Sequence, residues 1–363
     1  MGAARYMLLP LIPSIHLCYR ANGTSSYSRV LMLMFCSQAY VALLAWTPPP
    51  LYELPSEKHY RTPKDPQRPR QLPSIHDAAS LDLSVIIPAY NESKRLPSML
   101  SSTLEHLASF PERSFEILIV DDGSSDDTAG VALKLAAEDH PNADVRVVQL
   151  ERNRGKGGAV RQGMLHGRGR RLLMADADGA SRFADVELLL GALDALAPAH
   201  SDSPAVAIGS RAHLVNTEAV VKVCCPFLHP CARSFAPVDS DTRDQRSAVR
   251  NFLMYGLHTV LSIAGVGHVR DTQCGFKLFS RAAARELFPR QHLATWIFDV
   301  ELLLLAKTSR IPVVEVPVTW HEIAGSKLSV VRDSLQMLRD LMILRANQLL
   351  GRWGATEDKP KTD

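Results

Sequence analysis

The chain has 363 residues, of which 46% are hydrophobic, 22% charged and only 6% aromatic. It is too apolar for a disordered protein and too short of continuous apolar sequence for a polytopic membrane protein, while its length suits one large or two medium domains. Lys and Arg total 41 against 38 Asp and Glu; so small an excess predicts no nucleic-acid partner, which calls for a concentrated basic face.

In chain order, residues 1–29 form a tail in which the apolar stretch Met7–Cys18 is broken by Pro10 and Pro13. The glycosylation sequon Asn22-Gly23-Thr24 lies so close to the next segment that it reads as chance. Residues 30–46 (VLMLMFCSQAYVALLAW) are apolar except for Ser37 and Gln38. As a helix this run rises about 26 Å, slightly less than the roughly 30 Å of a hydrocarbon core. It predicts a single membrane anchor, with a buried helix or a signal peptide as alternatives, although no A-x-A cleavage site follows. Residues 47–80 carry eight prolines and predict an extended, partly polyproline linker with little helix or sheet. Lys58, Arg61, Lys64, Arg68 and Arg70 follow the apolar run, against Arg5, Arg20 and Arg29 before it, a bias that favours a cytoplasmic C-terminal side. The six cysteines show no disulfide framework, as expected for a chain facing mainly a reducing compartment.

From residue 81 short apolar runs alternate with amphipathic stretches. Strands are predicted at 83–87, 115–120, 145–150, 171–175 and 205–209, and helices at 95–109, 127–139, 157–168 and 184–196. This alternation predicts an α/β domain whose mostly parallel sheet carries helices on both faces. Polar clusters follow the strands: PAYNE (88–92), DDGSSDD (121–127), RNRGKGG (152–158) and DADG (176–179). Open α/β sheets bind ligands beyond the carboxyl ends of their strands, so these clusters mark the candidate site.

Asp176 and Asp178 flank one residue at a strand end and can converge on one cation. Oxygen ligands completed by water and a substrate phosphate suit Mg²⁺ or Mn²⁺; the competing reading is a solvated turn. Asp121 and Asp122 end another strand, where a helix cap and an Asx-turn compete with a nucleotide contact. Arg154-Gly155-Lys156-Gly157-Gly158 opens a helix with bare backbone and two cations, a pattern suited to an anion, but it lacks the spacing of a Walker loop.

Taken together, LSVIIPAYNE, ILIVDDGSSDDT, NRGKGGAVRQGM, LLMADADGA, IGSRAHL, DTQCGFKLF and FDVELL occur in an order that resembles the family 2 inverting glycosyltransferases. The resemblance implies the GT-A nucleotide-diphospho-sugar transferase fold over 81–325, followed by an amphipathic C-terminal helix and tail over 326–363. It further implies transfer of glucose from UDP-glucose to dolichyl phosphate with inversion, giving a lipid-linked glucose donor for N-glycan assembly. The implied location is the endoplasmic reticulum membrane, single-pass, with the catalytic domain facing the cytosol. Under this resemblance Pro88, Ala89, Tyr90, Glu92, Asp121, Asp122, Lys156 and Asp176 bind the nucleotide sugar, and Asp176 and Asp178 hold the metal. Arg154, Gln273, Lys277 and Glu301 fall on the acceptor and phosphate side. Asp178, Asp271, Asp299 and Arg211 are the candidate catalytic residues. A phosphate acceptor is already ionised near neutral pH, so a general base is less needed than for a sugar hydroxyl.

The chain departs from that family in two places. Residues 215–244 form an atypical insertion; its Cys224, Cys225, His229 and Cys231 lack the usual spacing of a zinc site. Thr295 precedes Trp296 where the family has Arg, which removes one cation. Phe252–Val266 and Leu328–Leu350 read as core segments or as a surface receiving the lipid. The alternatives to the main reading are a dolichyl-phosphate mannosyltransferase using GDP-mannose and a non-catalytic membrane-anchored homologue.

Overall fold

The computed structural model describes residues 26–198, 201–212, 271–321, 323 and 330–353. The insertion at 215–244, the apolar run at 252–266 and the sequon lie outside the described residues. The helices are α1 Ser26–Trp46, α2 Leu96–Ala108, α3 Thr128–Asp139, α4 Lys156–Met164, α5 Val186–Leu196, α6 Arg281–Leu287, α7 Phe298–Thr308 and α8 Val330–Leu349. The strands are β1 His59–Thr62, β2 Asp65–Gln71, β3 Leu81–Ala89, β4 Phe115–Asp121, β5 Val145–Gln149, β6 Gly169–Ala175, β7 Val206–Ser210, β8 Phe276–Ser280 and β9 Val313–Pro317. The five predicted strands are β3 to β7 and the four predicted helices are α2 to α5.

Among the described residues the nine strands form one sheet in the order β2-β1-β5-β4-β3-β6-β8-β7-β9. The centre, β5-β4-β3-β6, is parallel, and β1 and β8 run against the rest. Alternate residues of the central strands supply opposite faces, the period-2 geometry of a strand. Leu83, Val85, Ile87, Ile117 and Ile119 pack with Leu100 and Leu104 of α2, Ala132 and Ala136 of α3, and Leu189 and Leu193 of α5. On the other face Ile86, Leu172 and Met174 meet Val160 of α4, Ala284 of α6, Phe298 and Leu302 of α7, and Leu341 and Leu344 of α8. Each such aliphatic or aromatic side chain, once buried, contributes about 1.5–3 kcal/mol. Helix α8 therefore closes the core of the same domain, although sequence alone set residues 326–363 apart from it.

The proline-rich linker expected at 47–80 is corrected by the structure. Residues 59–71 form a hairpin whose first strand pairs with β5 through Arg61 and Val147. The prolines permit this because of where they fall. Pro55 opens a single 3-10 turn, Pro63 sits in the hairpin turn, and Pro66 and Pro69 lie on β2, the edge strand, where a missing N–H breaks no interior ladder. Tyr60 and Leu72 anchor the hairpin against Leu118, Val120, Val148 and Ala159.

The anchor expected at 30–46 is helical within α1. However, among the described residues no helix is long and apolar enough to cross a membrane. The C-terminal end of α1 joins the domain where Asn347 of α8 donates to the Thr47 hydroxyl at 3.1 Å.

Candidate active site

The loops after β3, β4, β5 and β6 meet at one edge of the sheet. After β3, Asn91 takes a φ of 54°, and its carboxamide oxygen accepts from the Ser125 backbone at 2.7 Å. Glu92 is tied by its backbone N–H to Thr128 at 2.8 Å. These contacts fasten the loop after β3 to the start of α3. Pro88 continues β3 beside Val120, the Ala89 carbonyl accepts from the Asp122 N–H at 2.8 Å, and Tyr90 is 40% exposed at the lip.

Asp121 and Asp122 are buried and organise the adjacent loops. Asp121 accepts from the Ser124 N–H at 3.1 Å and from Gln149 at 3.4 Å. Asp122 receives the backbone N–H groups of Arg154 at 2.7 Å and Gly155 at 2.9 Å. Burial pushes the Asp122 carboxyl up to about 7, against the two backbone bonds that favour its charged form. The loop it holds requires Gly155, whose φ is 91° and where a Cβ would meet the Ala294 carbonyl at 2.6 Å.

Lys156, the first residue of α4, brings its Nζ within 2.6 Å of Asp176 and 5.9 Å of the Trp296 ring centroid. Burial works against its charge, but Asp176 and Asp299 outweigh it and raise its pKa. Asp178 accepts from the Ala180 N–H at 3.0 Å and lies 3.9 Å from Arg95. Burial and the neighbouring Asp176 push its carboxyl above the ordinary range. Arg95 was not among the predicted site residues. It lies one helical turn beyond Glu92, which grips its Nε at 2.7 Å.

Asp176 rests directly on Gly275, where an added Cβ would fall 1.9 Å from its Oδ2. The side chains of Asp176 and Asp178 remain 31% and 29% exposed. Among the described residues no group of three or more His, Cys, Asp or Glu side chains could hold a metal. Two neighbouring, part-exposed carboxylates do fit Mg²⁺ or Mn²⁺, which are commonly held by one or two carboxylates plus water and substrate oxygens.

The remaining candidates divide into two sets. Lys277, on β8, meets Asp299, on α7, at 2.7 Å, and both are buried. Burial pushes the Asp299 carboxyl up despite the charges of Lys277 and Lys156. Arg211 grips Asp271 through Nε at 2.7 Å and Nη2 at 2.9 Å and lies over Trp320. Burial would raise the Asp271 carboxyl, but the bonds and charge of Arg211 more than offset it and hold it below the usual range. These four residues share an electrostatic neighbourhood with Asp176, since Asp176 acts on both Asp299 and Arg211.

Three predicted residues face elsewhere. Glu301 accepts from His292 N–H at 2.9 Å and Leu293 N–H at 2.8 Å, so it shapes the loop before Trp296. Gln273 points to the Met337 sulfur of α8 at 3.8 Å. The Arg154 guanidinium pairs with Glu57 at 2.6 Å. At the position where an Arg was expected, the Thr295 hydroxyl donates to Asp340 of α8 at 2.6 Å, and the other Asp340 oxygen takes Arg339 at 2.8 Å. A cation is thus supplied to Asp340 from α8.

Residues 84–213 match the family model described as glycosyl transferase family 2. A dolichyl-phosphate beta-glucosyltransferase of Saccharomyces cerevisiae is 43% identical over 91% of this chain and 95% of its own length. The chain belongs to the dolichyl-phosphate beta-glucosyltransferase family. A member from Drosophila melanogaster is also 43% identical, over 88% of this chain and 92% of its own. A solved glucosyl-3-phosphoglycerate synthase from Mycobacterium tuberculosis, in complex with Mn²⁺, UDP-glucose and phosphoglyceric acid, is 18% identical with a TM-score of 0.47, covering 73% of this chain and 80% of that chain.

Proposed function

We propose that the chain transfers glucose from UDP-glucose to dolichyl phosphate with inversion, in a reaction that depends on Mg²⁺ or Mn²⁺. The observation that carries the metal-dependent reading is the part-exposed carboxylates of Asp176, seated on Gly275, and its neighbour Asp178, at the carboxyl edge of the sheet's parallel centre. Membership of the family supports glucose and dolichyl phosphate as the transferred group and acceptor over a mannosyl donor.

Asp176 and Asp178 would hold the cation, which when bound neutralises charge on the departing diphosphate. Lys156 is placed to add a second positive charge to that leaving group. An oxygen of dolichyl phosphate forms a bond to the anomeric carbon from the face opposite UDP. The bond from that carbon to the diphosphate oxygen breaks, and the α-linked donor becomes a β-linked product. The acceptor arrives ionised, so no strong base is required. Asp271 suits that role poorly because Arg211 occupies both its oxygens. Asp299 is paired with Lys277 and suits the steadying of that cation toward phosphate.

We place this reaction at the cytosolic face of the endoplasmic reticulum membrane. The exposed Met32, Met34, Phe35, Val41 and Trp46 of α1 and the exposed Leu335, Met342 and Leu349 of α8 support lipid contact by two helices that touch each other. Incubation of the purified chain with labelled UDP-glucose or GDP-mannose, dolichyl phosphate and Mn²⁺ tests the chemistry. Lipid-linked label from UDP-glucose alone is the expected result. Protease protection and carbonate extraction of microsomes test the location, with a protease-accessible body on membrane-retained protein expected.

A further inference from the structure

The segment before residue 81 holds a charged group that the chemistry above does not use. Glu57 is fully buried, with no exposed surface. A carboxylate survives such burial only when paired and hydrogen-bonded. One of its oxygens accepts from the Glu151 N–H at 3.1 Å; the other accepts from the Leu54 N–H at 3.1 Å and meets the Arg154 guanidinium at 2.6 Å. Its backbone carbonyl accepts from Gln162 of α4 at 3.0 Å. Arg154 is closed in further by the Tyr52 carbonyl, and its guanidinium lies over the Tyr52 ring at 5.4 Å.

A single carboxylate therefore grips both ends of the turn from 151 to 154. The next backbone groups, Arg154 N–H and Gly155 N–H, are fixed on Asp122, and Gly155 is pressed against Ala294. The residue after Gly155 is Lys156, whose ammonium lies at Asp176. Only Gly155 separates Arg154, paired with Glu57, from Lys156 in the chain, and the Gly155 backbone is itself fixed on Asp122.

We infer that Glu57 is a positioning residue for donor binding, acting through Arg154 to place the loop that carries Lys156. It lies outside the region shared with family 2 glycosyltransferases at large, 84–213. The 3-10 turn Pro55–Lys58 that leads into the hairpin is thus a working part of the donor site. The inference rests on the proposal that UDP-glucose is the donor.

The test compares full-length Glu57→Gln, Arg154→Gln and the double variant with the unaltered chain. Michaelis constants for UDP-glucose and dolichyl phosphate are measured separately, and amide exchange is followed over residues 151–158. Glu57→Gln keeps the size of the side chain and one oxygen acceptor. It is expected to raise the KM for UDP-glucose about tenfold, short of the roughly hundredfold that a 1 Å misplacement can cost. The KM for dolichyl phosphate stays within about twofold, a split that uniform loss of folded protein would not produce. Exchange rises over 151–158 but not over 96–108, and the double variant is no worse than the worse single one. Arg154→Gln breaks the same pair from its other end and supplies the test if Glu57→Gln does not fold. An unchanged KM for UDP-glucose, or a parallel loss in both substrates with a lowered melting temperature, overturns the role. If the unaltered chain neither binds nor turns over UDP-glucose, the donor reading falls and this inference with it; normal turnover with unaffected variants overturns the inference alone.

Discussion

The two edges of the central sheet both carry buried or half-buried carboxylates, yet they are built in opposite ways. At the amino edge Glu116 is fully engaged. It accepts from the Ser84 hydroxyl and the Arg168 N–H at 2.6 Å each and from the Arg168 Nε at 2.9 Å, with Arg146 at 3.5 Å. Asp144 and Asp82 beside it are held below the ordinary carboxylate range; burial opposes this for Asp144, where the bonds and charges of Arg146 and Arg168 outweigh it, while for Asp82 the Ser114 hydroxyl is the main cause. At the carboxyl edge Asp178 is pushed up instead, with its nearest cation, Arg95, 3.9 Å away. Asp176 pairs with Lys156 and keeps 31% of its side chain exposed. Carboxylates saturated by arginine hold strands together, whereas carboxylates left short of positive charge are prepared to receive it.

This contrast can be broken from either side. Glu116→Ala should have the largest effect, about 3 kcal/mol of unfolding free energy, because it removes the buried acceptor of Ser84, Arg146 and Arg168 and leaves the two guanidinium groups only Asp144. Denaturant titration measures this, and the KM for UDP-glucose of the surviving folded protein should be unchanged. A donor-binding defect at full stability would show that the amino edge is not merely structural. Asp178→Ala should do the reverse, lowering turnover about 10²–10³-fold, the range found when one transition-state stabiliser is removed. Its melting temperature should stay within a few degrees of the unaltered chain.

Gly275→Ala sharpens the comparison without touching a charge. The new methyl would overlap the Asp176 carboxylate and push it off its seat. We expect weaker Mn²⁺ binding by paramagnetic resonance in the presence of UDP, and a smaller loss of turnover than in Asp178→Ala. The smallest effect concerns pH. The folded-state value of Asp122, about 7, lies above its ordinary 3.8, so the folded protein keeps a proton that the unfolded chain releases between those values. The stability contributed by this residue therefore falls as pH rises through that window. Asp122→Asn should flatten that part of the profile of melting temperature against pH.

Much of this was legible in the sequence because the central strands are buried on both faces. They therefore read as unbroken apolar runs, each ended by a polar cluster. The hairpin was not legible: Pro66 and Pro69 look like strand breakers until the edge position of β2 is known. Residue roles were harder to read than residue types. Asp299 and Glu301 both read as site residues, but residues two apart on a helix do not share a face. Asp299 meets Lys277, while Glu301 turns to the loop at His292 and Leu293. Arg154 and Lys156 also look equivalent in a glycine-rich loop. Only the buried Glu57, about a hundred positions earlier in the sequence, separates a structural cation from one at the site.

The central claim is that the open carboxylate pair serves inverting glucose transfer. The most direct measurement follows the anomeric configuration and yield of lipid-linked glucose made by the full-length chain from UDP-glucose and dolichyl phosphate, with Mn²⁺ or with a chelator. The account predicts a β-linked product formed with Mn²⁺ and lost with the chelator. An α-linked product, or equal yield in the chelator, would contradict it.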